Sequence, residues 1–297
     1  MENKPKIKDM VLSSPNLPTL PMIALTIINL IRDDNCSVAK IRKVIEKDPP
    51  VAARVLKVAN SGYYAIRDQV NSLDLAIVII GLRDLLHIAI GVGVMKNISA
   101  SPKSVILDWR KYWTHSNMCA IVSEELAGKL NLKSQLPASP YATGLLHDIG
   151  KLALNSVLKD WTDKIFFQAV ESNIPIENVE FELLGAGHAQ IGAWLCEKWN
   201  IPKSMSDAVK YHHTPLAAPD TDLRKLAGLI YCSNFIINVM GMDFGGCVPN
   251  LDEIDESVWQ SINQNNPEYR DVEFQEFAES IICMKDELRE KAKIYGD

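Results

Sequence analysis

The sequence predicts an all-α protein, and three observations carry that prediction. Apolar residues recur at intervals of three and four along most of the chain. The breaks between these segments fall at Pro, Gly and Asn residues placed as helix stops and starts. The one run that could pass as a buried strand, Ile77–Ile80, has no neighbouring run to serve as its partner.

At the N-terminus, Lys4, Lys6 and Lys8 precede an apolar stretch that Pro18, Pro21 and Asn29 interrupt. Arg32-Asp33-Asp34 then follow without a small-residue cleavage site, so this segment is expected to remain in a folded, cytoplasmic protein. Val51, Val55 and Ala59 form one helical stripe, with Ala52 and Leu56 beside it. Asp48 before Pro49-Pro50 starts that helix, because its carboxylate accepts free backbone N–H groups and proline at the first position gives up no needed donor. Asn60-Ser61-Gly62 stops it. Ser72 caps a helix over Leu73–Ile80, which runs into Gly81, and a second apolar helix follows from about Arg83 to Lys96.

Ser101-Pro102 marks the internal boundary, since proline disfavours helix in the residue before it. Amphipathic segments follow near 108–130, 140–158, 187–199, 203–213 and 221–239. Gly128, Pro137 and Pro140, Pro175, Pro202, Pro215 and Pro219, and Gly241 supply the breaks. Gly245-Gly246 and the acidic, Asn-rich stretch from Asn250 to Glu268 suggest an exposed linker with a short helix. A last helix from Asp271 is expected to bury Phe274, Phe277, Ile281 and Met284 or Leu288. The expected organisation is an N-terminal helical lobe over 1–103, a second lobe over 104–240, and a C-terminal linker and helix over 241–297. No repeat of solenoid period occurs.

Composition excludes several classes. With 47% hydrophobic and 23% charged residues in a chain of 297, the protein is globular, and no stretch approaches the roughly 18 uninterrupted apolar residues of a membrane span. The six cysteines, Cys36, Cys119, Cys196, Cys232, Cys247 and Cys283, show no CxxC spacing and are expected as reduced core thiols. Residues 1–103 carry 14 Lys and Arg against 9 Asp and Glu, whereas 104–297 carry 17 against 28. The basic excess of the first part is spread out and lacks interleaved aromatics, which argues against nucleic acid as a partner.

Five of the six histidines fall in the second half beside other metal-ligand residues, and only His87 stands apart. His115 shares a stripe with Cys119, Val122 and Leu126, so it points into a core. His147-Asp148 lies in Tyr-Ala-Thr-Gly-Leu-Leu-His-Asp-Ile-Gly-Lys, where Gly144 admits a close neighbour and Lys151 follows Asp148 by three residues, placed to meet an anion. His188 opens a helix after Gly185-Ala-Gly187, and His212-His213 close another before Pro215. Each alone reads as a structural histidine. Together, imidazoles and one carboxylate suit borderline divalent ions (iron, zinc, manganese or nickel), and one Asp can bridge two ions.

In this order, His115, His147-Asp148, His188 and His212-His213 resemble the HD superfamily of metal-dependent phosphohydrolases, and Leu-His-Asp-Ile-Gly-Lys is similar to the version in HD-GYP phosphodiesterases. The N-terminal half is more particular. Leu17-Pro-Thr-Leu-Pro21, Asp48-Pro49, Leu56-Lys-Val-Ala-Asn60-Ser61 and Ala76-Ile-Val-Ile-Ile-Gly81-Leu82 resemble the HDOD (HD-related output domain) signature, over about residues 12–240. This resemblance implies a helical N-terminal lobe packed on an HD-type helical bundle, and an output or adaptor role in bacterial signal transduction with protein partners.

The superfamily completes its first metal site with a late aspartate, and Asn234 occupies the position that lines up here. A neutral amide oxygen there leaves the site one negative charge short. After Lys151 the chain continues Leu-Ala-Leu-Asn, with no Gly-Tyr-Pro motif. The expected site therefore holds one or two divalent ions through His115, His147, Asp148, His188, His212, His213 and Asn234, in a module without turnover. The alternative is a phosphohydrolase or phosphodiesterase acting on a nucleotide or cyclic dinucleotide at that site, with Asp148 and Lys151 as its catalytic groups.

Because the N-terminal helices carry more apolar face than a lobe of about a hundred residues needs for itself, the two lobes are expected to pack as one unit. Residues 1–103 and 104–297 expressed separately should then aggregate or melt without cooperativity in circular dichroism. Two soluble, monomeric, cooperatively folding fragments would mean independent domains.

Overall fold

The computed structural model describes residues 7–20, 22–31, 36–61, 64, 66–100, 108–242 and 249–296, and among them it contains helices and no strand. The helices are α1 (Ile7–Ser13), α2 (Met22–Ile31), α3 (Val38–Ile45), α4 (Pro49–Ala59), α5 (Leu73–Ala100), α6 (Trp109–Lys129), α7 (Pro140–Leu146) and α8 (Ile149–Val157). Then come α9 (Lys159–Ser172), α10 (Ile176–Leu184), α11 (His188–Lys198), α12 (Lys203–Tyr211), α13 (Thr221–Val239), α14 (Glu256–Asn263), α15 (Phe274–Ile282) and α16 (Lys285–Gly296). Expectations placed on Lys4, Lys6, Pro21, Arg32, Asp33, Asp34, Gly62, Ser101, Pro102, Gly245, Gly246 and Cys247 lie outside the described residues.

The described residues fall into two units. One spans 19–100 with 290–297; the other spans 1–18 with 101–289. In the first, α2, α3 and α4 each pack on α5. Asp48 starts α4 by accepting from the Val51 amide at 3.2 Å, and Val51, Val55 and Ala59 are fully buried as the stripe predicts. Asn60 does more than end that helix. Its side chain donates to the Leu56 and Val70 carbonyls and accepts from the Val70 amide, all within 2.8 Å, which ties down the loop leading to α5. Gly81 sits at φ +78° inside α5, a conformation that favours glycine, and the helix bends there by 97°. Among the described residues no single helix is long and apolar enough to cross a membrane.

In the second unit, α6 packs on α7 and α13, α8 on α9 and α11, and α11 on α12. Caps on Asp108, Ser139 and Asp220 accept from the first-turn amides of α6, α7 and α13 at 2.9–3.2 Å and remove orphan donors. Two glycines set how closely the site-bearing helices meet. A Cβ on Gly144 would stand 2.8 Å from the Ala120 Cα of α6, and one on Gly150 would stand 1.9 Å from the His188 carbonyl of α11.

Several expectations change. The predicted helix over 140–158 breaks at His147–Asp148, where Asp148 adopts φ −99°, ψ 10°. Helices α9 and α10 occupy a stretch that the sequence pattern left unassigned. The stretch after Asn250 holds the expected short helix, α14, but it is not exposed: Val258, Trp259 and Ile262 are buried. Trp259 packs on Phe274 and Phe277 and donates to the Val272 carbonyl at 2.7 Å, so aromatic burial outweighs the acidic composition around it. The last helix begins at Phe274, not Asp271, and is divided before Lys285; Phe274, Phe277, Ile281 and Leu288 are buried and Met284 is only half-buried. Of the described cysteines, Cys119, Cys196 and Cys232 are buried, Cys36 is half-buried and Cys283 is exposed, all as free thiols.

Gly150→Ala forces backbone apart, beyond what a side-chain rotation relieves, so it should cost at least the ~3 kcal/mol seen for severe overpacking. A thermal melt should show a lowered midpoint, and a midpoint equal to wild type would mean that α8 and α11 can separate freely.

Candidate metal centre

Asp148, at the break between α7 and α8, is fully buried and lies at the centre of the histidines. Its Oδ2 faces His115 Nε2 of α6 at 3.4 Å and the adjacent His147 Nε2 at 3.5 Å, while the Lys151 ammonium reaches the same oxygen at 2.7 Å. Its Oδ1 faces His188 Nε2 of α11 at 3.1 Å and His212 Nε2, just past α12, at 3.8 Å. His213 Nε2 lies 2.9 Å from His188 Nε2, and His115 Nε2 lies 3.3 Å from His147 Nε2. The ligand atoms thus form two groups, His115, His147 and Asp148 in one and His188, His212 and His213 in the other. The helix break makes this possible, since in a continuous helix His147 and Asp148 would diverge by about 100° around the axis.

The far side of each ring is also engaged. His115 Nδ1 donates to the Met242 carbonyl at 3.0 Å, His147 Nδ1 to Gly144 at 2.7 Å, and His212 Nδ1 to Val209 at 2.7 Å. A carbonyl only accepts, so these three rings carry their proton on Nδ1, and in the neutral form each turns an Nε2 lone pair toward Asp148. His188 Nδ1 donates to the buried Glu180 carboxylate at 2.6 Å, which also takes the His188 backbone N–H at 2.6 Å. Glu177 stands 3.5 Å from His213 Nδ1.

The electrostatics match this geometry. Burial pushes the pKa of His147 down to about 4, and those of His212 and His213 well below the ordinary range, so their lone pairs are free. Burial also opposes ionisation of Asp148, but His147, Lys151 and His188 outweigh it and hold the carboxyl well below its usual range. Burial disfavours the His188 cation too, yet Glu180 and then Asp148 raise its pKa to about 9. The Lys151 ammonium is likewise held charged against burial by Asp148.

Three lone pairs facing an anionic carboxylate repel one another unless a cation lies between them. His212 Nε2, fully buried, lacks a hydrogen-bond partner among the described residues and lies 3.8 Å from Asp148 Oδ1. The donor set therefore fits a divalent metal held through Nε2 atoms, with His115, His147, His188 and His212 anchored through Nδ1, and His188 would release its Nε2 proton on binding. The structure brings His115, His147, Asp148, His188, His212 and His213 together and places Lys151 beside them. Asn234, half-buried on α13, hydrogen-bonds to Asn238 at 3.4 Å. Glu177 and Glu180 were missed from sequence because α10 was missed. A signal existed: Ile176, Val179 and Leu183 share one stripe, and Glu180 falls beside Val179 on the inward side, where a carboxylate needs a partner.

Comparison with known proteins agrees with this picture. The crystal structure of an HDOD domain protein of unknown function from Geobacter sulfurreducens is 21% identical, with a TM-score of 0.79 over 93% of this chain and 92% of its own. That of a candidate phosphohydrolase from Shewanella amazonensis is 24% identical, with a TM-score of 0.70 over 99% of each chain. These likenesses are of fold. An uncharacterized protein of Treponema pallidum is 24% identical over 225 residues, 76% of this chain; the match spans 43% of that longer relative. The HDOD domain family itself matches residues 17–215, two thirds of the sequence, and the chain belongs to that family.

Proposed function

We propose that this chain is a non-catalytic output or adaptor module of signal transduction, whose helices are tied together at a divalent-metal centre. One observation carries the reading: none of His115, His147, Asp148, His188 and His212 is more than 2% exposed. A hydrolytic centre needs open coordination positions facing a cleft. Here the ammonium of Lys151 already rests on Asp148 Oδ2, and protein surrounds the rest. A bound divalent ion would supply the positive charge and Lewis acidity that the converging lone pairs call for. His115, His147, Asp148, His188, His212 and His213 would hold it, and Glu180 would fix the His188 ring.

A metal-dependent phosphohydrolase acting on a nucleotide or cyclic dinucleotide is the second reading, and one feature favours it. His213 and Glu177, with side chains 25% and 32% exposed, bring solvent to one edge of the cluster.

Elemental analysis of untagged, full-length protein should find one or two first-row divalent ions per chain, lost in His147→Ala. The same preparation should not turn over phosphodiesters or cyclic dinucleotides. Robust turnover with manganese or iron that disappears in Asp148→Ala would replace the module with the enzyme. Glu180→Gln should weaken metal affinity by about 10–100-fold, the usual loss when a partner behind a ligating imidazole is removed. Competition with a chromophoric chelator measures this, and unchanged affinity would mean that Glu180 does not orient His188.

A further inference from the structure

Helices α9 and α10 form a hairpin whose inner face is Ile165, Ala169 and Val179. Its outer face is apolar as well. Phe167, Val170 and Phe181 are 62%, 59% and 66% exposed. Phe167 and Val170 are one helical turn apart and share a face, and the Gln168–Glu182 hydrogen bond at 3.5 Å sets that part of α9 alongside the start of Phe181-Glu182 in α10. Large apolar side chains clustered this way mark a contact surface.

The surrounding charge says what kind. Residues 159–184 hold six acidic side chains and two lysines. Both lysines are engaged, Lys159 with Asp163 at 3.1 Å and Lys164 over the Trp161 ring at 5.3 Å. Of the acids, Glu180 is buried, while Asp160, Glu171 and Glu182 are exposed. An acidic rim repels anionic lipid and nucleic acid, and complements a helix with an apolar stripe flanked by Lys or Arg.

We propose that the outer face of α9 and α10 docks a basic amphipathic helix of a partner protein. This deepens the adaptor reading, and because the readout is peptide binding it stands or falls separately from any turnover assay. The probe is a labelled amphipathic peptide of about 18 residues, enough to hold a helix, with Leu on one face and Lys beside it, titrated against the full-length chain by fluorescence anisotropy. Binding should be saturable. It should weaken about tenfold or more in Phe167→Glu/Phe181→Glu, and likewise when Glu replaces Lys in the peptide.

Should that variant melt below wild type, Glu171→Lys/Glu182→Lys, on exposed positions, should weaken the basic peptide and strengthen the acidic one. Absence of binding, equal binding by the variants, or preference for the acidic peptide would overturn the proposal. So would a wild-type dimer in sedimentation that Phe167→Glu/Phe181→Glu dissociates, because a second copy would then be the occupant.

Discussion

A carboxylate with no solvent exposure cannot stay charged in a helical core without compensation, because removing such an ion from water costs several kcal/mol even after the protein relaxes. Asp148 is that carboxylate. Part of the compensation is covalently near: Lys151 lies one turn along α8 and meets Oδ2 at 2.7 Å. Part comes from α11, where His188 is kept cationic by Glu180 behind it and Asp148 in front. Burial keeps His147 and His212 neutral with their Nδ1 protons turned outward to carbonyls, and His115 turns its Nδ1 to a carbonyl in the same way. They offer lone pairs instead, which is the arrangement of a metal shell and not of a salt-bridge network.

The fold is arranged to deliver those groups with little freedom. His147 and His212 are each held by the carbonyl three residues earlier in their own helix, so helix position alone fixes the ring. His115 and His188 are held from a distance, by the Met242 carbonyl and Glu180, so their orientation depends on the packing of α6 and α10. The contacts at Gly144 and Gly150 place α7 on α6 and α8 on α11 at separations that any side chain would prevent. Packing and site geometry are therefore one constraint.

Helix α10 has two faces with different work. Glu180 points inward to His188, while the next residue, Phe181, is among the most exposed apolar side chains of the protein. Its left-handed cap at Gly185, φ +77°, ends the helix immediately before the turn into α11.

Much of the helical layout was legible in the sequence, because capping residues, proline breaks and the spacing of apolar residues act locally: α4 and α12 lie close to where Asp48 and Pro202 put them, and α6 and α13 close to the amphipathic segments over 108–130 and 221–239. The ligand types were legible too, since five histidines and an Asp-Lys pair stand out by composition. What the sequence could not decide depended on distant partners. The break at His147–Asp148 lies in a run with unbroken helical periodicity, and only the need to turn both residues toward α6 and α11 reveals it. The stretch around α10 carries no assigned element until His188 gives Glu180 a reason to be buried, and the short helix after Asn250 reads as exposed until Trp259 anchors it in the core. Local propensity determined where helices start and stop; tertiary structure alone decided which polar groups leave water, because burying a charge is favourable only when its partner, far away in sequence, arrives with it.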